Sequence, residues 1–456
     1  MNAQPRTICA ISLSMETNMR KLGLVVGGVL LATCFSVPPA TASDDHKVEI
    51  FDESGPRGYT DVPGEIGPRA RSRQAPSATV TPIEVNGPSD KRIDLVYLGD
   101  GFTESEMDLY TSQVETSWNL LAEREPFKSY RKLFNVWQVN VVSNESGSDN
   151  DPAEGIEKDT ALHSTYYCDG LARLVCVDVP AAESYAALAP AFDQIAVVVN
   201  SGTYGGAGYI EEDLVTFSGG HVSGPEILPH ELGHSLGDLA DEYPYWAYPD
   251  DGSVYTGEEP PDANVSVHDA GEQTARRTKW WRWLGAETPD GGVIGAFEGA
   301  YYHNLGIHRP SDDSLMRTLR KPFNSVGREE MTRKFYELTG IVDAATPPSD
   351  RPIRKSATLT VTHVDIPTVS TRWFVNGHEI AEWAGQTSVQ AGEHKPPKQR
   401  GKPEAPWCGR KDLRSKHSCT YTVVVSDSTG FIRDPAYREN ALTSTITWTF
   451  GHKHAH

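Results

Sequence analysis

The apolar positions between residues 91 and 345 change period in an order that alternates strands with helices. Residues 92–98 (RIDLVYL) form a short apolar run that stops at Gly99-Asp100-Gly101, a strand pattern ending in a turn signal. Thr103 has N-cap character, and the pattern behind it predicts a helix to about Glu123. Residues 134–142 (FNVWQVNVV) alternate like a half-buried strand, and residues 194–200 (QIAVVVN) read as a fully buried one followed by the Gly-rich turn SGTYGGAG. A further helix is expected around 227–236. Strand, helix, strand, strand, helix is the order of an α/β domain, expected over residues 91–345.

The pattern changes on both sides. Pro347-Pro348 mark a boundary, and residues 346–456 carry short alternating runs (ATLTVTHV, TRWFVNG, TYTVVVSD, STITWTF) separated by turn residues. They predict an all-β, immunoglobulin-like sandwich of about 100 residues, interrupted by a long basic insertion over 391–419. Residues 43–90 are polar and rich in Pro and Gly, and read as a prosegment, leader or linker. The apolar run 22–37 (LGLVVGGVLLATCFSV) follows Arg20-Lys21 and precedes Ala40-Thr41-Ala42. It is short for a bilayer span of about 20 residues, and basic, apolar and small-residue regions in that order predict a signal peptide over 1–42, started at Met19. The expected product is secreted or periplasmic, with no membrane span after cleavage.

Composition narrows the partners. Acidic residues outnumber basic ones 62 to 42, and the formal charge of −20 argues against nucleic acid and anionic membrane surfaces. Signal cleavage removes Cys9 and Cys34. The remaining Cys168, Cys176, Cys408 and Cys419 are expected as disulfides, and short loops favour Cys168–Cys176 and Cys408–Cys419. Oligomeric state is not legible.

The chemistry lies in ILPHELGHSLGDLADEYPY, residues 227–245. His230 and His234 are four residues apart, so on a helix both imidazoles lie on one face and can reach one ion. Glu231 sits beside the first and can face a water there. Catalytic zinc takes three protein ligands and leaves one position open. Asp238, Asp241 and Glu242 come next, but on an unbroken helix Asp241 would lie about 16 Å further along the axis than His230. The helix must therefore break. Gly237 is the expected breaker, taking a positive φ that lets Asp241 approach from the side. Asp238 follows that turn too closely. Glu242 is the nearer rival, with a salt bridge or a contact to a ligand histidine as its other role, and Glu298 is a more distant fallback.

HELGHSLGDLADEY, the upstream RIDLVYLGDGFTESEM and the downstream EGAYYHNLGIHRPSDDSLMRT together resemble the IgA-peptidase family of zinc metallopeptidases, over roughly residues 90–345. The trailing β domain is also similar to the one behind the catalytic domain in that family. The resemblance implies a zincin-like fold, a mixed sheet plus an active-site helix, with one catalytic Zn2+. It maps the metal ligands onto His230, His234 and Asp241 and the catalytic glutamate onto Glu231. The motif also resembles the metzincin HExxHxxGxxH pattern. Gly237 matches its glycine, but Ala240 stands where its third ligand would be and the acid comes one residue later. Met316 sits where a Met-turn methionine would floor the site, or is plain core. Tyr301 and Tyr302 offer phenols to an oxyanion or to packing.

Weaker features remain open. Tyr204-Gly205-Gly206 suits an edge strand that pairs with extended substrate, or a simple turn. Trp280, Trp281 and Trp283 suit a substrate surface or a core. The acidic loop 144–154 has oxygen ligands for Ca2+ but no EF-hand spacing. Two functions are compatible with these residues. One is a secreted zinc endopeptidase acting on protein or peptide substrates. The other is an adhesin or glycan-binding protein with a structural zinc. Coordination separates them, because a structural site is closed by four protein ligands and a catalytic one is not.

Overall fold

The computed structural model describes residues 45–52, 55–63, 78–244, 253–354, 356–392 and 419–450. The expected signal peptide, most of the basic insertion and Cys408 lie outside the described residues. One mixed sheet dominates, in the order β2-β1-β7-β8-β6-β4-β5-β3. Its strands are β1 (Asp45–Asp52), β2 (Gly55–Pro63), β3 (Thr79–Glu84), β4 (Ile93–Asp100), β5 (Phe134–Asn140), β6 (Gln194–Val199), β7 (Gly206–Tyr209) and β8 (Leu214–Ser218). The central strands β5, β4, β6 and β8 run parallel, and the flanking strands are antiparallel to their neighbours. Three of the eight strands, β1 to β3, come from the stretch 43–90 that reads as a prosegment, leader or linker.

Burial on both faces explains the apolar runs. Along β4, Leu95 and Tyr97 enter the core on one face, and Val96 and Leu98 enter the core on the other. β6 divides in the same way, with Ala196 and Val198 opposite Ile195, Val197 and Val199. Period-2 side chains on a sheet covered on both sides give this continuous apolarity. The first face carries α1 (Met107–Ala122) and the short α2 (Phe127–Tyr130), and the second carries α3 (Val179–Ala186). Thr103 and Glu106 form a capping box through a 3-10 turn that leads into α1, so the expected cap holds and the helix proper starts at Met107. The Cys168–Cys176 disulfide is formed, on the second face.

Three further helices follow. These are α4 (Ile227–Ser235), α5 (Ala270–Arg276) and α6 (Ser325–Leu338), with the hairpin β9 (Phe297–Ala300) and β10 (His303–Arg309) between the last two. Of these helices, α4 and α6 join the first-face core. No helix among the described residues is long and apolar enough to cross a membrane. Beyond residue 341 lie two antiparallel sheets. One is β11 (Val342–Thr346), β12 (Thr358–His363) and β15 (Ser388–Gln390); the other is β14 (His378–Glu379), β13 (Val369–Val375), β16 (Thr420–Asp427) and β17 (Thr443–Thr449). A last helix, α7 (Pro435–Asn440), joins β16 to β17. Trp373 and Trp448 stack at 5.8 Å inside this unit, and its apolar residues join those of α1, α4 and α6 in one continuous core.

A buried acid joins the two parts. Asp427 at the end of β16 accepts from the phenols of Tyr130 (2.8 Å) and Tyr336 (2.7 Å). Replacing one partner strands the others without water. Asp427→Ala is expected to cost about 2–4 kcal/mol, because two buried hydroxyls lose their acceptor. Asp427→Asn, which keeps an acceptor oxygen, should cost clearly less. Urea unfolding of the three proteins checks this; equal midpoints for Asp427→Ala and wild type would remove the acid from the account.

Candidate metal centre

Helix α4 is buried along almost its whole length, and it carries the two histidines one turn apart. Each ring is aimed by a backbone carbonyl. His230 Nδ1 lies 2.9 Å from Leu315 O, and His234 Nδ1 lies 2.6 Å from Leu239 O. A carbonyl only accepts, so both Nδ1 atoms carry a proton, which leaves both Nε2 atoms to offer lone pairs to an ion once the rings are neutral. Those Nε2 atoms sit 3.1 Å apart.

The chain turns after the helix, but at a different residue from the one expected. Gly237 does not have a positive φ; Asp238 does, at 44°. The Asp238 N–H donates to His234 O (2.9 Å) and the Leu239 N–H donates to Gly233 O (3.0 Å). These bonds reach four and six residues back and close the helix end with Asp238 in the left-handed position, where a short polar side chain is tolerated. Gly237 is needed for space instead, since a Cβ there would overlap Met331 Sδ. The exposed Asp238 side chain pairs with Lys334 at 2.6 Å.

The turn delivers Asp241 to the histidines. Its Oδ1 lies 3.3 Å from both Nε2 atoms, and its Oδ2 accepts from Tyr59 (2.9 Å) and from Tyr302. Glu242 points away. Its carboxylate accepts from Asn264 (3.0 Å), Ser314 (2.6 Å) and Asn324 (2.9 Å), a buried set that fixes the segment after the turn. Glu298 is exposed, on β9, and accepts from Gly306 N.

The segment 314–316 supports the site from below. Leu315 O holds His230, Met316 O accepts from Glu242 N (2.8 Å), and a Cβ at Gly233 would overlap Met316 Sδ. Met316 therefore packs directly beneath the helix, where a Met-turn residue is expected. Tyr301 and Tyr302 form the two-residue loop between β9 and β10, with φ of 51° and 67°. Asn-Gly is the usual choice there, so two tyrosines store of order 1 kcal/mol or more each. Their N–H groups donate to Asp241 O and Tyr243 O (both 3.1 Å), so the strained loop grips the segment that carries Asp241.

A fourth donor comes from outside the helix and the turn behind it, and no motif in the sequence marks it. Glu49 on β1 places Oε2 3.2 Å from His230 Nε2 and 3.3 Å from His234 Nε2, while Oε1 accepts from Tyr243 (2.8 Å). Its environment follows from alternation: Val48 and Ile50 enter the second-face core, so Glu49 and Phe51 face α4. The only local sign is one acid inside the apolar run 48–51 (VEIF). Glu49, His230, His234 and Asp241 offer ligand atoms that all lie within 4.8 Å of one another.

These four groups fit a metal ion. Two imidazole lone pairs and two carboxylates converge on one buried point, and Asp241 Oδ1 has no hydrogen-bond donor among the described residues. Only a cation satisfies such a set. Without a metal the cation is a proton. Burial disfavours the imidazolium of His230, but the Glu49 and Asp241 carboxylates outweigh it and raise its pKa to about 10. His234 is likewise raised, with Asp241 the main attraction against burial.

Glu231 lies beside this cluster, buried, with Oε1 lacking a hydrogen-bond partner among the described residues. Burial, then the nearby Glu49 charge, pushes its carboxyl well above the usual range. A Cβ on Gly208 of β7 would overlap the Glu231 carboxylate, so this glycine provides its space. A cavity of about 990 Å³ opens beside His234 and Asp241, lined also by Tyr302, Trp280 and Trp283. Both tryptophans are otherwise buried, and Trp281 lies between Arg277 and Arg282. The loop 144–154 gathers no comparable ligand group among the described residues. Asp149 accepts from Lys158 N, and Asp151 from Ser201 and Thr203.

No curated protein matches the chain. Residues 81–290 and 286–335 match the family described as IgA Peptidase M64, a stretch that covers more than half of the 456 residues and holds α4, Glu231, Asp241 and Met316. A histidine pair, a turned-back aspartate and a buried glutamate within that match are consistent with metal-dependent peptide hydrolysis, and the chain belongs to the IgA peptidase M64 family of metallopeptidases.

Proposed function

We propose that the chain is an exported zinc endopeptidase with a zincin-like catalytic domain and an immunoglobulin-like C-terminal sandwich. His230, His234 and Asp241 hold the ion, and Glu231 is the general base. The observation that carries this reading is a buried glutamate whose Oε1 has no hydrogen-bond partner among the described residues, next to two imidazoles whose Nε2 atoms converge with Asp241. Two imidazoles and a carboxylate suit zinc. Zinc in that set supplies Lewis acidity to water and to the scissile carbonyl. Glu231 takes a proton from the attacking water and passes it to the leaving amine as the C–N bond breaks. Tyr302 and Tyr59 orient Asp241, and the carbonyls of residues 315 and 239 fix the imidazole tautomers. The formed Cys168–Cys176 disulfide supports an oxidising compartment, outside the cytosol.

One observation favours a second reading. Four donor groups close the site, as in a structural ion site, and a structural zinc would suit an adhesin or glycan-binding protein. A structural ion, however, has no use for Glu231. Glu49 also lies outside residues 81–335, the part that matches the peptidase family, whereas the other three donors lie inside it.

Three measurements test the proposal. Glu231→Gln should keep zinc and fold while casein hydrolysis falls about 10²–10⁴-fold; unchanged turnover would remove Glu231 as the base. Gly208→Ala, which fills the space of the Glu231 carboxylate, is expected to lower turnover about tenfold or more with one zinc still bound. Elemental analysis alongside the assay checks that pairing. Because His230 and His234 hold protons when the metal is absent, zinc binding must displace them, so affinity should rise with pH from 6 toward about 10. Calorimetry in buffers of different ionisation enthalpy should detect release of about one to two protons per ion at pH 7. Binding without proton release would contradict the ligand assignment.

A further inference from the structure

We propose that the N-terminal hairpin β1–β2 is a latency plug on the catalytic centre, with Glu49 as the blocking ligand. This rests on the peptidase reading above. If three ligands come from the α4 region, a working site needs its fourth position free for water. Glu49 takes that position. It is fully buried, its Oε2 faces both histidine Nε2 atoms, and Tyr243 anchors its Oε1.

The hairpin obstructs in a second way. β7 would be an edge strand of the sheet without β1, and its glycines suit close backbone approach, as Tyr204-Gly205-Gly206 suggests from sequence. An extended peptide adds to such an edge by main-chain hydrogen bonds. Here β1 lies antiparallel on β7, with Val48 opposite Tyr209 and Glu49 opposite Gly208, the glycine that makes room for Glu231. The plug thus sits beside the proposed base. β2 adds a third contact, since its Tyr59 donates to Asp241 and lines the open cavity with Lys47.

The hairpin is held by side chains more than by its ladder: His46 meets Glu212, Thr60 donates to Asp169, Arg173 donates to Phe51 O and Tyr204 donates to Asp52 O. Val48, Ile50 and Phe51 are buried, and the Phe51 ring meets His230 edge-on at 5.5 Å. Yet β1 pairs with β7 at two positions and with β2 at seven. Most of its backbone pairing is internal and would leave with it. Belonging to the same chain, the plug binds without the loss of translational freedom a separate inhibitor suffers. It can therefore block the site with one carboxylate, held there by these side-chain contacts and a short ladder. The sequence between the hairpin and β3 contains Arg69, Arg71 and Arg73, three sites for a protease of basic specificity.

The experiment uses full-length chain loaded with zinc, wild type and Glu49→Gln, titrated calorimetrically with acetohydroxamate, a probe that needs an open metal position. Metal content and casein hydrolysis are measured on the same samples. The expected result is one zinc in both proteins, hydroxamate affinity at least tenfold higher in the variant, and casein hydrolysis at least tenfold faster. Equal hydroxamate binding and equal hydrolysis in both proteins would overturn the plug and leave the peptidase reading intact. Loss of zinc from the variant, with neither protein hydrolysing casein or binding hydroxamate, would make Glu49 a resident fourth ligand and overturn both. Should the variant fail to fold, wild-type protein cut by trypsin between the hairpin and β3, and freed of the hairpin by gel filtration in dilute urea, gives the same readout. A gain in hydroxamate binding on release supports the plug, and no gain overturns it.

Discussion

Two imidazole lone pairs and two carboxylates meet at one buried point, and no arrangement of neutral groups would hold them there. The rest of the architecture can be read as the cost of that convergence. Each ring is locked by a carbonyl on its far nitrogen, each carboxylate is steadied by a tyrosine, and the loop that grips the Asp241 segment is strained at Tyr301 and Tyr302. Side chains placed this way lose their freedom during folding and not when the ion arrives. The penalty of gathering like charges is offset only when a cation enters, so binding of that cation and integrity of this corner of the fold are thermodynamically one process.

How far the sequence foretold this depends on the range of each contact. Local patterns carried most of the sheet. The runs at 92–98 and 194–200 became β4 and β6, and the Thr103 cap became a capping box, because burial on both faces and a first-turn hydrogen bond both write themselves into neighbouring residues. The helix with two histidines was equally local. The need for a break before Asp241 was derivable from helix geometry, but the residue that makes it was not. Glycine is the usual left-handed cap, and here the crowding of Met331 against Gly237 gives that glycine a steric role while Asp238 takes the positive φ.

Glu49 was not legible, for a physical reason. It meets His230 across 181 residues, through a strand whose pairing partner β7 is itself only four residues long. Nothing in a polar, Pro- and Gly-rich stretch announces which edge it will join. The local hint, an acid flanked by Val48, Ile50 and Phe51, says only that a carboxylate will be carried into an apolar setting. A buried charge needs a partner, so that hint identifies a problem the fold must solve without naming the solution. Glu242 shows the other solution. Equally buried, its oxygens are satisfied by the amides of Asn264 and Asn324 and the hydroxyl of Ser314, which hold it away from the histidines.

Helix α6 links the C-terminal sheets and the candidate metal centre within one core. Its N-cap Asn324 holds Glu242, its Met331 fills the space over Gly237, and its Lys334 pairs with Asp238, so one face of the helix clamps the turn that aims Asp241. From the other end, Phe335 packs against Phe127 and Phe134, and Tyr336 donates to Asp427 of the C-terminal sheets. A helix whose interior contacts are shared this way cannot shift toward one partner without losing the other, because close-packed interiors have discrete rather than continuous arrangements. The C-terminal sheets therefore have a structural consequence for the centre irrespective of anything they bind. Their Asp427 holds Tyr336 near one end of α6, and from the same helix Met331 and Lys334 meet Gly237 and Asp238 at the turn after the second histidine.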